Sequence, residues 1–154
     1  MPGPLIDCYV LAPERSKGLV LRFLEEFLPQ REASFEPVDP YEALGLDPEE
    51  QIDTALEYLE EFPEADYSFY WRNRSEGAPL HGFVCFNSDG SLILGLSPST
   101  DDDHSVALEY LRAMQTFVGT QVGLICVESP PPGSKSEFLS RLQFDTQSVS
   151  GDNR

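Results

Sequence analysis

A chain of 154 residues with 27 acidic against 10 basic side chains carries a net charge of −17, which leaves no basic footprint for nucleic-acid phosphates or an anionic membrane surface. Its 40% hydrophobic and 24% charged residues suit one globular domain, and a domain this long buries roughly 70% of its unfolded surface without a disulfide or metal staple. Charges or prolines interrupt every apolar stretch before the ~20 residues a membrane helix takes, and Met1 to Val10 has no basic secretory start, so a cytosolic, membrane-free protein is expected.

Leu5 to Leu11 is a run of strand formers and predicts a first strand. Between Pro13 and Pro29, Val20, Phe23, Leu24, Phe27 and Leu28 recur at helical spacing, an amphipathic helix that Pro29 closes. Gln30 to Leu46 has three breakers and no sustained period, which predicts a loop with one short turn near Tyr41 to Leu44. Asp47, Pro48 and Glu50 supply an N-cap, a first-turn proline and a capping-box acid for a second helix reaching Phe62, with Ile52, Ala55, Leu56, Leu59 and Phe62 as its buried stripe.

The period then drops to two, with Tyr67, Phe69 and Trp71 alternating against Ser68, Tyr70 and Arg72, which is strand patterning. Two further apolar runs, Leu80 to Phe86 and Leu92 to Leu96, flank turn chemistry at Asn87 to Gly90 and complete a three-stranded meander. Thr100 opens a third helix that ends at Gly119, Val122 to Val127 forms a continuous apolar strand, and Ser134 with Glu137 reads as a capping box for a short fourth helix. Residues 1–142 are thus expected to form one α+β domain, an antiparallel or mixed sheet packed by about four helices, followed by a polar, frayed tail over 143–154.

The charge is concentrated. Glu25 to Asp66 holds 15 acidic residues and one basic residue, Arg31, so this stretch carries −14 of the −17. On the second helix Asp53, Glu57, Glu60, Glu61 and Glu64 lie off the apolar stripe and must form an acidic surface suited to a basic protein partner. A solvated face that only confers solubility accounts for the same pattern. Tyr70, Trp71, Arg72 and Arg74 gather aromatics and local positive charge, a second candidate binding region, although aromatics at strand spacing are more often core.

Catalytic chemistry has little to stand on. His81 and His104 are the only histidines, no phosphate loop or dinucleotide fingerprint is present, and no cofactor or metal is indicated. Asn87, Asp89 and Ser91 echo part of a calcium loop but lack its terminal glutamate, and Asp101 to Asp103 are accounted for by helix capping. A thiol–base pair of Cys126 and His81 is outweighed by the apolar strand around Cys126, and Cys8, Cys85 and Cys126 are all expected to be reduced and buried. The residues thus favour a non-enzymatic acidic binding module, such as an immunity-type inhibitor of a basic toxin or nuclease, over a small enzyme or ligand-binding domain using Trp71, Arg72 and Arg74. Oligomeric state is left open.

Overall fold

The computed structural model describes residues 6–33, 48–74, 79–98, 104–127 and 131–144. Along the chain run β1 (Ile6–Leu11), α1 (Lys17–Phe27), β2 (Arg31–Ala33), α2 (Pro48–Glu61), β3 (Tyr67–Asn73), β4 (His81–Phe86), β5 (Leu92–Ser97), α3 (His104–Val118), β6 (Gly123–Val127) and α4 (Lys135–Phe144). The strands form one sheet in the order β2-β3-β4-β5-β1-β6, every neighbouring pair antiparallel. The α+β class and the meander over β3, β4 and β5 are as the sequence predicts, and the sheet is antiparallel rather than mixed.

The main core lies on one sheet face. Cys8, Val10, Phe69, Trp71, Val84, Phe86, Leu94 and Leu96 point from it into the apolar stripes of three helices: Leu19, Val20, Phe23 and Leu24 of α1, Ile52, Ala55, Leu56 and Leu59 of α2, and Ala107, Leu111, Met114 and Val118 of α3. Because strand side chains alternate, the same strands send a second set to the opposite face. There Tyr9, Leu11, Cys85, Ile93, Leu124 and Cys126 form a smaller cluster with Phe138 of α4. β1 and β5 are consequently buried along their whole length.

Two glycines make this packing possible. A Cβ at Gly82 would overlap Leu28, which descends onto β4 from the end of α1, and a Cβ at Gly95 would stand 2.6 Å from the Tyr9 ring and 3.1 Å from Phe83.

Three expectations are corrected. Part of the expected loop is a strand, since β2 pairs with β3 through Arg31↔Asn73, Glu32↔Arg72 and Ala33↔Trp71. A three-residue edge strand with two charged members has no apolar period to read, and Glu32 pairs with Arg72 across the edge at 2.6 Å instead of burying. Phe62 does not join the buried stripe: the helix ends at Glu61, and the ring is 40% exposed. Helix α4 runs to Phe144, two residues past its expected end. The expected turn near Tyr41, the Asp47 cap, the aspartates 101–103 and the tail from 145 lie outside the described residues.

Local signals placed the remaining boundaries. Ser16 caps α1, its hydroxyl accepting from the Leu19 N–H at 3.1 Å. Gly119 ends α3 at φ +82°, its N–H and that of Thr120 both donating to the Gln115 carbonyl. At α4 the Ser134 hydroxyl accepts from the Glu137 N–H at 3.0 Å, while Glu137 accepts from Gly133, one residue earlier than a strict capping box. All three cysteines are buried in strands, outside any disulfide.

Candidate functional surface

Helix α2 buries Ile52, Ala55, Leu56 and Leu59, and at about 100° per residue the positions between them must turn outward. Asp53, Glu57, Glu60, Glu61 and Glu64 are all exposed. They are not electrostatically equal. The Lys17 ammonium stands 2.8 Å from Asp53 and 2.9 Å from Glu57, and hydrogen bonds first to Asp53 and then to Glu57 hold its pKa above the ordinary lysine value. Glu60, Glu61 and Glu64 make no ion pair among the described residues, although the Arg15 charge acts on Glu64 from a distance, so the unpaired charge is displaced toward the C-terminal end of α2.

Arg15 shapes that end. The last carbonyls of a helix lack intrahelical partners, and here the guanidinium supplies one: Nε donates to the Leu59 carbonyl at 2.7 Å, while Nη2 donates to the Phe62 and Ala65 carbonyls just past the helix. Its remaining nitrogen, Nη1, donates to the Asn87 carbonyl at 2.8 Å, and its plane lies 5.1 Å from the centre of the Phe86 ring. A single side chain thereby ties the end of α2 to the β4–β5 turn.

Beside this clamp, on the flank of α2 away from Lys17, stand two aromatics. Tyr58 is 48% exposed and Phe62 40%, with ring centroids 4.8 Å apart. Sequence reading missed the pair because Phe62 continues the apolar spacing on paper. The detectable signal was Pro63, which stops the helix and lets Phe62 swing off the stripe onto Tyr58, four residues back.

The second candidate region is split by the sheet. Trp71 is 0% exposed and stacks on Phe69 in the core, so it offers no surface to a partner. Tyr70 and Arg72 point to the opposite face, where Tyr70 meets Phe83 edge-on at 5.3 Å and His81 is the cross-strand neighbour of Arg72. Arg74 is exposed beyond the end of β3.

On that face the register aligns one polar row across the sheet: Glu32, Arg72, His81, Ser97, Asp7 and Cys126. Asp7 is 8% exposed and accepts from the Ser97 and Tyr9 hydroxyls. Burial pushes its carboxyl above the usual range, against the two hydroxyls and the nearby His81. Cys126 lies three strands from His81 in this row, about 14 Å at the ordinary strand spacing, so the two do not form a thiol–base pair.

The partial calcium-loop pattern is a turn closed on itself. Gly90 takes φ +90°, Asp89 Oδ1 accepts from Ser91, and Asp89 Oδ2 accepts from the Lys135 N–H at 2.8 Å. A cleft of about 440 Å³ opens beside it between Glu14, Arg15, Ser91, Thr120 and Lys135. Among the described residues, no group of three or more His, Cys, Asp or Glu is placed to hold a metal ion, and no helix is long and apolar enough to cross a membrane.

No family model matches the chain, and no curated protein sequence or solved structure is significantly similar to it.

Proposed function

We propose that this chain is a non-enzymatic binding module that docks a basic protein on the outer face of α2. The observation that carries the reading is the sorting of Asp53, Glu57, Glu60 and Glu61 onto the solvent side of one helix, with Glu64 exposed just past its end and the last two helix acids outside any ion pair among the described residues. Such a face accelerates encounter with a cationic surface and repels nucleic acid. An immunity-type inhibitor of a basic toxin or nuclease is the most specific form of this reading, because the phosphate-binding groove of such an enzyme carries the complementary charge. A cytosolic setting belongs to the same proposal, since all three cysteines are buried thiols outside any disulfide, a state that a reducing compartment maintains.

The test is an association rate against the protein captured by the wild-type chain, measured across a salt series for wild type and for the quadruple variant Glu57→Lys, Glu60→Lys, Glu61→Lys, Glu64→Lys. The rate should fall at least tenfold at low salt in the variant and converge with wild type at high salt. An unchanged rate in a folded variant would assign the acidic face to solubility alone. The second reading, a ligand-binding or small catalytic site, is favoured by Tyr70, Arg72 and His81 sharing one open stretch of sheet, and it becomes the leading one in that event.

A further inference from the structure

An acidic face draws in any cation, but it does not choose between them. The C-terminal half of α2 has a second property that does. There an unpaired carboxylate and the exposed aromatic pair coincide: Glu61, which has no ion pair among the described residues, is three residues from Tyr58 on the helix, a spacing that brings Cβ atoms within about 5–6 Å. The Tyr58 and Phe62 rings contact each other at 4.8 Å and keep roughly half of their surface in solvent.

We infer that Tyr58 and Phe62 form the anchor of the docking surface and that its occupant is an arginine-bearing segment of the partner, one guanidinium lying over the Tyr58 ring while its N–H fork meets the Glu61 carboxylate. This deepens the reading of α2 as a docking surface and rests on it. Charge complementarity requires a cation, since Glu60, Glu61 and Glu64 are unpaired among the described residues. The rings specify which one: a guanidinium is planar, weakly hydrated and able to stack while donating two parallel hydrogen bonds, whereas an ammonium is a strongly hydrated point charge that gains less from an aromatic face. The neighbouring cations leave this place open. Lys17 is held on the other flank by Asp53 and Glu57, and all of the nitrogens of Arg15 are engaged with carbonyls beneath the helix end. Exposed aromatics inside a charged rim are also the composition of interface hot spots, where the rim steers and the anchor sets residence time.

Decaarginine and decalysine carry the same charge and separate the two contributions. In low-salt titration of the full chain, decaarginine should bind about two- to fivefold more tightly than decalysine. The double variant Tyr58→Ala, Phe62→Ala should bring decaarginine down to the decalysine level and leave decalysine unchanged. Both side chains are exposed, so the variant should keep the wild-type circular dichroism, and Tyr58→Phe, which retains the ring, should keep most of the preference. Equal binding of the two peptides to wild type, or a preference that survives the double variant, overturns the anchor and leaves the acidic docking surface standing. If neither peptide binds in a salt-dependent manner, the docking reading fails and the anchor with it.

Discussion

Asp7 and Arg15 are two charged groups drawn into the structure by opposite means. Asp7 is buried on the sheet where, among the described residues, two hydroxyls and the nearby His81 support its charge. Its folded pKa is raised, so folding favours the protonated acid: the stabilisation is fully present below the unfolded pKa of about 3.9 and is lost as pH rises through the folded value. Asp7→Asn keeps the shape without the charge, and its urea midpoint at pH 7 should therefore exceed that of wild type, with the difference shrinking toward pH 3. A lower midpoint at pH 7 would mean that the Ser97 and Tyr9 hydrogen bonds outweigh burial. Arg15, by contrast, is fully engaged by carbonyls. Removing it strands carbonyls at the C-terminal end of α2 and in the β4–β5 turn, and Arg15→Ala should cost about 2–4 kcal/mol in urea unfolding. Arg15→Lys should recover little of this, because one ammonium cannot span carbonyls from Leu59, Ala65 and Asn87.

Among the elements, α4 lies on the second sheet face. Phe138 packs into the small cluster there, Arg141 Nη1 approaches Cys126 Sγ at 3.6 Å, and Asp89 holds the first turn through the Lys135 N–H. Asp89 is partly desolvated, but bonds from Ser91 and Lys135 prevail and keep its carboxyl below the usual range, and Glu137 is lowered first by the Gly133 N–H and then by Arg141. For depressed carboxylates the sign reverses: their stabilisation is present above the unfolded pKa and disappears as pH falls through the folded one. The first turn of α4 should loosen in acid before the main core does. At neutral pH, Asp89→Ala should increase the rate at which a thiol reagent labels Cys126, beneath α4, while Cys8, on the α3 side of the sheet and bonded to the Ala107 carbonyl, stays protected. Equal acceleration at both cysteines would show global destabilisation instead. In the wild-type protein none of the three thiols should label rapidly without denaturant; burial raises the pKa of both Cys8 and Cys85.

At the scale of the molecule, a charge of −17 on 154 residues is a standing repulsion, concentrated in the stretch from Glu25 to Asp66. Salt at about 0.15 M shortens the screening length to about 8 Å and relieves it. The thermal midpoint should rise by a few degrees, on the order of 1 kcal/mol, between very low salt and 0.3 M sodium chloride. A midpoint that falls would mean that the Lys17 pairs with Asp53 and Glu57 matter more than the surrounding excess of acid.

What the sequence determined by itself is what depends on neighbours along the chain. Periods of 3.6 and 2 and a capping box located α1 to α4 and five of the six strands, Pro29, Gly119 and Ser134 marked helix ends, and the acid-rich stretch declared an acidic face on α2, while the Ser16 cap appeared only in the structure. Tertiary structure alone decided what depends on partners distant in the chain. It made a strand of Arg31–Ala33 because β3 supplied the hydrogen bonds that two charged residues and an alanine could not announce. It turned Trp71 inward and Tyr70 and Arg72 outward, a choice that alternation leaves symmetric until helices cover one face. It also brought Arg15 to the end of α2, aligned Asp7 with Ser97 and His81, and left Phe62 in solvent beside Tyr58, because each of these placements is set by contacts 40 to 90 residues apart or by where a helix stops, and local periodicity carries no record of either.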